Sequence, residues 1–313
     1  MNIFVMILQP ILFLAVAPLF VGIVRKTKAL FQNRTGASVF QPYWSLASLL
    51  RKEMTIPEWS TWVYHVVPFV VLGAAFLLAL DIPAFAVGFL PSSMTNVFVL
   101  TGILAVGSIF LVFGGMDTGS TFGNMGSSRE MTLVALIEPT LFLALGLMGA
   151  IAGSWDIGSI VVNGAALPWV GMAPVLLALG ALVLAALLEN ARYPVDNPAT
   201  HLELTMVHEA MLIEYSGTYL AMLEYASAVK LVAISVLVVH IAFPFYIATP
   251  IASLPAFGIA VAAFFAACAA AAVGISFIES TVVKMRFYRM QEYALLAFLV
   301  AAAALAAAFV IQA

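Results

Sequence analysis

Residues 3–24 read IFVMILQPILFLAVAPLFVGIV, and Arg25-Lys26-Thr27-Lys28 follow at once. A run of that length meets the ~20 apolar residues that carry a helix across ~30 Å of hydrocarbon. It is too long for the core of a signal peptide. Its cations also follow the run, where a cleaved signal would place them ahead of it. It reads as a retained membrane helix. Working outward, seven further runs repeat the pattern: Val63–Leu80, Val97–Phe113, Thr132–Ala152, Val170–Leu188, Ala226–Ile247, Ala256–Ile278 and Tyr293–Ile311. Together they predict an all-α membrane protein with eight transmembrane helices.

The connections set the orientation. The first holds Arg25, Lys26, Lys28, Arg34, Arg51 and Lys52. The third holds Arg129, the fifth Arg192, and the seventh Lys284, Arg286 and Arg289. Of the twelve Lys and Arg in the chain, only Lys230 remains, just inside the sixth run and beside the fifth connection. The second, fourth and sixth connections and both termini hold none. Cationic loops stay cytoplasmic. The expectation is a single polytopic membrane domain over 1–313, with both termini outside (periplasmic) and cytoplasmic loops at 25–62, 116–131, 189–225 and 279–291.

Composition agrees. The chain is 64% hydrophobic and 9% charged, which excludes a soluble globule. A net charge of −3 gives no sign of nucleic-acid binding, and none is expected. The single Cys268 lies in an apolar run, so this chain has neither an internal disulfide nor a Cys-rich metal site. The outer connections are short and rich in Pro, Gly and Ser. They read as turns that close the bundle, with little chemistry of their own.

The first cytoplasmic connection carries an amphipathic helix. Val39, Tyr43, Leu46, Ala47 and Leu50 recur at helical spacing, with Pro42 near the start. Ser38, Gln41, Ser45 and Ser48 take the other faces, and Arg51 and Lys52 close the C-terminal end, where cations suit the dipole. Such a helix lies at the membrane interface. Trp44, Trp59 and Trp62 fit an interfacial aromatic belt.

The fifth connection concentrates the acidity. It runs Glu189-Asn190-Ala191-Arg192-Tyr193-Pro194-Val195-Asp196-Asn197-Pro198, then His201, Glu203, His208, Glu209 and Glu214-Tyr215-Ser216-Gly217. Leu202, Leu204, Met206, Val207, Met211 and Leu212 are interleaved, so the segment is expected half-buried. If 201–214 is one helix, Glu203 and Glu214 lie within ~20° of one face, about three turns apart. Poorly hydrated carboxylates take up protons near neutral pH, and ionisable residues at the membrane edge are candidates for proton relays. The plainer alternative is that they pair with Arg192, Lys230 or helix N-termini.

Glu138 is the sharpest single residue. It sits inside the fourth run and precedes Pro139, which frees the carbonyl of Ala135. Upstream, Gly126-Ser127-Ser128-Arg129-Glu130 reads as an N-cap entering that helix, with Glu130 in the first turn. Arg129 is a candidate partner for the acidic connection. His208-Glu209 lacks a second His four residues on, so no zincin-type metal site is expected. His65 and His240 read as packing or interfacial residues.

Three separated stretches resemble the subunit 1 family of respiratory complex I, in the branch of energy-converting nickel–iron hydrogenases and formate hydrogenlyases. They are Asn33 through Tyr43, continuing to Leu49-Leu50-Arg51-Lys52-Glu53; Gly126 through Glu130 leading to Glu138-Pro139; and Glu189 through Arg192, Pro194, Asp196 and Glu203 to Glu214-Tyr215-Ser216-Gly217. Glu279-Ser280-Thr281 with Arg286 fits the same family. The resemblance implies a multi-pass subunit of a prokaryotic inner membrane. It would dock a peripheral electron-transfer arm onto antiporter-like subunits and link that arm's reaction to proton or ion translocation. The partners implied are hydrogenase small and large subunits, an iron–sulfur subunit, the antiporter-like subunits and the lipid bilayer. The 4Fe-4S clusters and Ni-Fe centre would lie in those partners, with no cofactor and no catalytic residue in this chain. Glu138, Glu189, Asp196, Glu203 and Glu214 would serve proton coupling, Arg129 and Arg192 would hold their charges, and Arg34, Tyr43, Arg51 and Lys52 would form the docking surface. Quinone-using members carry a denser acidic run just after the position of Asp196. Here it is Asn197-Pro198-Ala199-Thr200-His201-Leu202-Glu203-Leu204, which is closer to the hydrogenase type. Two rivals remain: a quinone-binding subunit 1 of an NADH dehydrogenase, and an independent secondary transporter.

Overall fold

In hydrocarbon every backbone N–H and C=O must be satisfied within the chain, and a helix does so locally. The computed structural model describes residues 2–88, 90–164, 172–196, 206–243, 254–285 and 287–312, and follows that rule. Its helices are α1 (Asn2–Phe31), α2 (Gln41–Arg51), α3 (Trp62–Asp81), α4 (Val97–Asp117), α5 (Thr121–Ala152), α6 (Ile157–Gly164), α7 (Met172–Glu189), α8 (His208–Leu212), α9 (Gly217–Ala242), α10 (Leu254–Thr281) and α11 (Phe287–Gln312). Among the described residues there is no strand; an isolated bridge joins Asn96 and Asp156. Among the described residues, seven helices are long and apolar enough to cross a membrane: α1, α3, α4, α5, α9, α10 and α11. An eighth apolar helix, Ala173–Glu189 within α7, is shorter.

The bundle packs α3 against α4 and α9, α1 against α10 and α9, and α7 against α11 and α5. Small side chains explain the seam between α7 and α11. Ala294, Ala297, Ala301 and Ala304 of α11 and Ala178, Ala181 and Ala185 of α7 are all buried. Methyl-sized residues let backbones approach closely where lipid gives no hydrophobic push. Larger residues fill the centre: Phe13, Phe20, Leu78, Leu100, Leu145, Leu182 and Phe264 are fully buried.

The amphipathic helix of the first connection is α2, with Pro42 at its start and Arg51 in its last turn. It packs on α1 and α9. The connection leading to it is pressed against α1 so closely that a Cβ on Gly22 would collide with the Val39 carbonyl.

Three local expectations are corrected. First, α5 begins at Thr121 with Ser120 as N-cap, well before Thr132. Gly126 through Glu130 therefore lie inside the helix and do not cap it. The polar turns stay helical because they have neighbours: the Ser127 hydroxyl donates to the Val112 carbonyl at 3.0 Å, and Gly126 admits Ala210 and Val207 of the acidic connection. Second, 201–214 is not one helix. Met206 and Val207 are non-helical, and α8 spans only His208–Leu212. The Val207 N–H donates instead to the Asp196 carboxylate at 3.0 Å, a side-chain alternative to the helical ladder. Glu203 and His201 lie outside the described residues. Third, the outer connection after α5 contains the short helix α6, capped by Asp156 accepting from the Ser159 N–H at 2.8 Å.

Candidate functional site

A charge removed from water persists only with a partner, so buried ion pairs mark where the fold has imposed chemistry. One such group lies inside the bundle, where α7 ends against the middle of α9, and a second lies at the end of α1. The first joins five helices. The Glu189 carboxylate, at the C-terminus of α7, accepts from Lys230 Nζ of α9 at 3.2 Å and from Ser108 of α4 at 3.4 Å. The Glu189 side chain is 2% exposed and that of Lys230 16%, so bulk water screens this pair little. Beside it, His208 of α8 faces Glu130 of α5 at 4.0 Å, an ion pair when the imidazole is protonated. Glu138 lies about two turns further along α5 from Glu130. Its Oε1 is buried with no hydrogen-bond partner, and it feels the charge of Glu189.

The second group holds the start of the acidic connection, just beyond Glu189. Glu279 of α10 accepts from Lys28 of α1 at 2.9 Å and from Arg192 at 3.2 Å. Asp196 accepts from Lys284 at 2.6 Å as well as from the Val207 N–H. Lys28 also stands over the Tyr193 ring, 4.4 Å from its centroid. Burial, and then the carboxylates of Glu279 and Asp196, raise the Tyr193 phenol above its ordinary range. Arg129 donates to the Met206 carbonyl at 2.8 Å, tying α5 to the same connection.

Cavities link these groups. One of about 640 Å³ is lined by Lys28, Arg34, Arg192 and Glu279 and shares Arg25 and Arg192 with a second of about 190 Å³. The second shares His208, Leu212 and Ser227 with a third of about 30 Å³, which reaches Ser108 and Lys230. Volumes of a few tens of Å³ with several polar walls hold water. Adjacent cavities that share lining residues thus lie between the basic loop surface and Lys230.

The expected residues fall as follows. Glu189, Asp196 and Arg192 are buried within these groups, and Glu138 lies at the inner end of the first. Glu214 is half-buried. Its carbonyl accepts from the Tyr64 hydroxyl at 3.0 Å, and Tyr64 stacks on Tyr215 at 4.3 Å. Arg34, Arg51 and Lys52 are exposed, while the Tyr43 hydroxyl is turned inward onto the Ala15 carbonyl. Sequence reasoning missed Glu130, His208, Lys28, Glu279 and Lys284 as site residues and named Lys230 only as a possible charge partner. Lys230 had a readable signal, as a charge inside a long apolar run, and Glu279 directly follows one. No group of three or more His, Cys, Asp or Glu suited to a metal ion occurs among the described residues.

Several known proteins are similar to this chain. The family model described as NADH dehydrogenase matches residues 3–311. Formate hydrogenlyase subunit 4 of Escherichia coli (strain K12) is 31% identical over 244 residues, covering 78% of each chain. Hydrogenase-4 component C of the same strain is 32% identical over 237 residues, covering 76% of this chain and 74% of the relative. A subunit of the NADH-quinone oxidoreductase of Burkholderia vietnamiensis is 26% identical over 219 residues, covering 66% of this chain and 60% of the relative. Among solved structures, a chain of the membrane-bound sulfane sulfur reductase, an archaeal respiratory membrane complex, has the same fold, with a TM-score of 0.81, 19% identity and 99% of both chains covered.

Proposed function

Because the chain belongs to the NADH dehydrogenase family, the complex I subunit 1 type, we propose that it is the membrane anchor and coupling subunit of an energy-converting nickel–iron hydrogenase of the formate hydrogenlyase type. The two relatives at 31% and 32% identity support the hydrogenase branch. In this reading the eight apolar helices all span, both termini lie outside, and the loops 25–62, 116–131, 189–225 and 279–291 face the cytoplasm of a prokaryotic inner membrane. Exposed Arg34, Arg51 and Lys52, with Tyr43 pinning α2 to α1, form the surface that receives the peripheral arm. The hydrogenase large and small subunits and an iron–sulfur subunit dock there. They carry the Ni-Fe centre and 4Fe-4S clusters. Antiporter-like subunits flank the bundle.

The observation that carries the coupling role is the buried row of ionisable groups, Glu138, Glu189–Lys230 and His208–Glu130, joined to the loop surface by cavities. A charge change in a docked partner would reach this row across poorly screened surroundings. Protons would then move among its members, with Asp196, Glu203 and Glu214 serving the same relay. Arg192 and Arg129 hold the connection in place. The test is copurification in mild detergent followed by metal analysis. Nickel and iron in a stable assembly with this chain are expected. A solitary, stable, transporting monomer would overturn the reading in favour of a secondary transporter.

A second reading is favoured by the cavities beside Arg25 and Arg192 and by the relative named as part of a quinone oxidoreductase. In it, a quinone enters this space. Quinone reduction by a nickel-free assembly would select it.

A further inference from the structure

At the opposite end of the bundle, α3 ends in a carboxylate with nothing to satisfy it. Asp81 is 4% exposed, and neither of its side-chain oxygens has a hydrogen-bond partner. It lines a cavity of about 150 Å³ together with Gln9, Ser92, Thr95 and Asp156. No described residue lining that cavity is Lys, Arg or His. A buried carboxylate without hydrogen bonds or a countercharge is costly, and the fold leaves this one facing a space several waters wide.

The neighbours narrow what belongs there. Asp156 accepts from the Thr95 hydroxyl at 2.5 Å, the Ser159 N–H at 2.8 Å and the Ser159 hydroxyl at 2.7 Å. A carboxylate has about four acceptor positions, so roughly one is left over. Thr95 spends its proton on Asp156, which leaves its oxygen lone pairs free. Gln9 cannot lend its oxygen, because that oxygen already accepts the N–H groups of Ala84, Phe85 and Ala86 at 2.9, 3.3 and 3.3 Å. What remains is a set of hard oxygen donors: two from Asp81, one from Asp156 and one hydroxyl. The two carboxylates bring a double negative charge, with water to complete the shell. Hard oxygen ligands with two carboxylates suit a divalent cation, and a flexible mixed shell suits calcium better than magnesium.

We propose that Asp81 and Asp156 bind a divalent cation of the calcium class in this cavity. The ion joins the end of α3 to the connection before α4 and to the start of α6. It closes the bundle at the face remote from the coupling site. The sequence predicts only closing turns there, and the unsatisfied Asp81 is what changes that expectation.

The test uses the intact detergent-purified complex, stripped with a chelator and then titrated with radioactive calcium chloride. Wild type should take up about one more calcium per copy of this chain than the Asp81→Asn variant. Calcium should raise the thermal stability of wild type but not of that variant. Sodium chloride at matched ionic strength should not substitute. A Thr95→Val variant, which keeps both carboxylates, should bind calcium about tenfold more weakly. It keeps the question answerable if Asp81→Asn fails to assemble. Equal calcium uptake in wild type and the variants would overturn the proposal. So would stabilisation of the protein by Asp81→Asn with no response to calcium, which would mean that Asp81 is held neutral by a proton.

Discussion

Glu189 and Lys230 meet at 3.2 Å, where the end of α7 crosses the middle of α9, and neither has more than slight access to water. Removing one partner of a buried pair strands the other, typically at a cost of about 3–5 kcal/mol. Lys230→Met should therefore lower the stability of the assembled protein by roughly that range. The double variant Glu189→Gln/Lys230→Met should be milder than the sum of the single ones, because it strands no charge. A double-mutant cycle by thermal or denaturant unfolding in detergent checks this.

The stack of Tyr64 on Tyr215 gives a sharper comparison. The Tyr64 hydroxyl has a partner in the Glu214 carbonyl at 3.0 Å, while the Tyr215 hydroxyl is buried without one. Burial raises the Tyr215 phenol well above its ordinary range, so it stays protonated. Tyr64→Phe should cost about 1 kcal/mol, whereas Tyr215→Phe should be neutral or slightly stabilising, because it removes an unsatisfied polar group. Unfolding midpoints of the two variants, measured side by side, decide it.

At Gly22 the chain leaves no room. A Cβ there would collide with the Val39 carbonyl, a backbone atom that cannot swing aside. Gly22→Ala should push the segment before α2 off α1, at a cost of about 1–3 kcal/mol. Limited proteolysis near residues 33–40 should speed up, and recovery of the peripheral subunits on purification should fall.

Glu279 bridges Lys28 and Arg192 with a side chain 2% exposed. Glu279→Gln should leave Arg192, 10% exposed, with an uncompensated charge. Lys28→Met should cost less, because Glu279 keeps Arg192. A larger loss of assembled complex for the Glu279 variant than for the Lys28 variant is the expected ordering. Equal losses would mean that Arg192 is held by something else.

Seven long apolar helices were legible because an apolar run needs no partner to be recognised. Glu138, Glu189, Asp196 and Arg192 were legible for the converse reason, as charges at the edge of apolar helices. Of their partners, Lys230 was legible and the rest were not. Lys28 and Glu279 are 251 residues apart, and Asp196 and Lys284 are 88 apart, so no local spacing links them. A helix over 201–214 misleads because its apolar residues fit a helical period. Those described are buried, Met206 and Val207 in an irregular path and Met211 and Leu212 in the short α8, with Asp196 taking the Val207 N–H that a helical ladder would have used. The early start of α5 was hidden for a related reason: its polar first turns are stabilised by α4 and the acidic connection, not by lipid.

The most direct measurement follows proton uptake during hydrogen turnover in inverted membrane vesicles carrying the intact complex, with Glu138→Gln and Glu189→Gln compared to wild type. If the buried row transmits the partner's reaction, the complex that assembles with either variant should still turn over hydrogen while losing most of the associated proton movement. Normal assembly with undiminished proton movement in both variants would contradict the account.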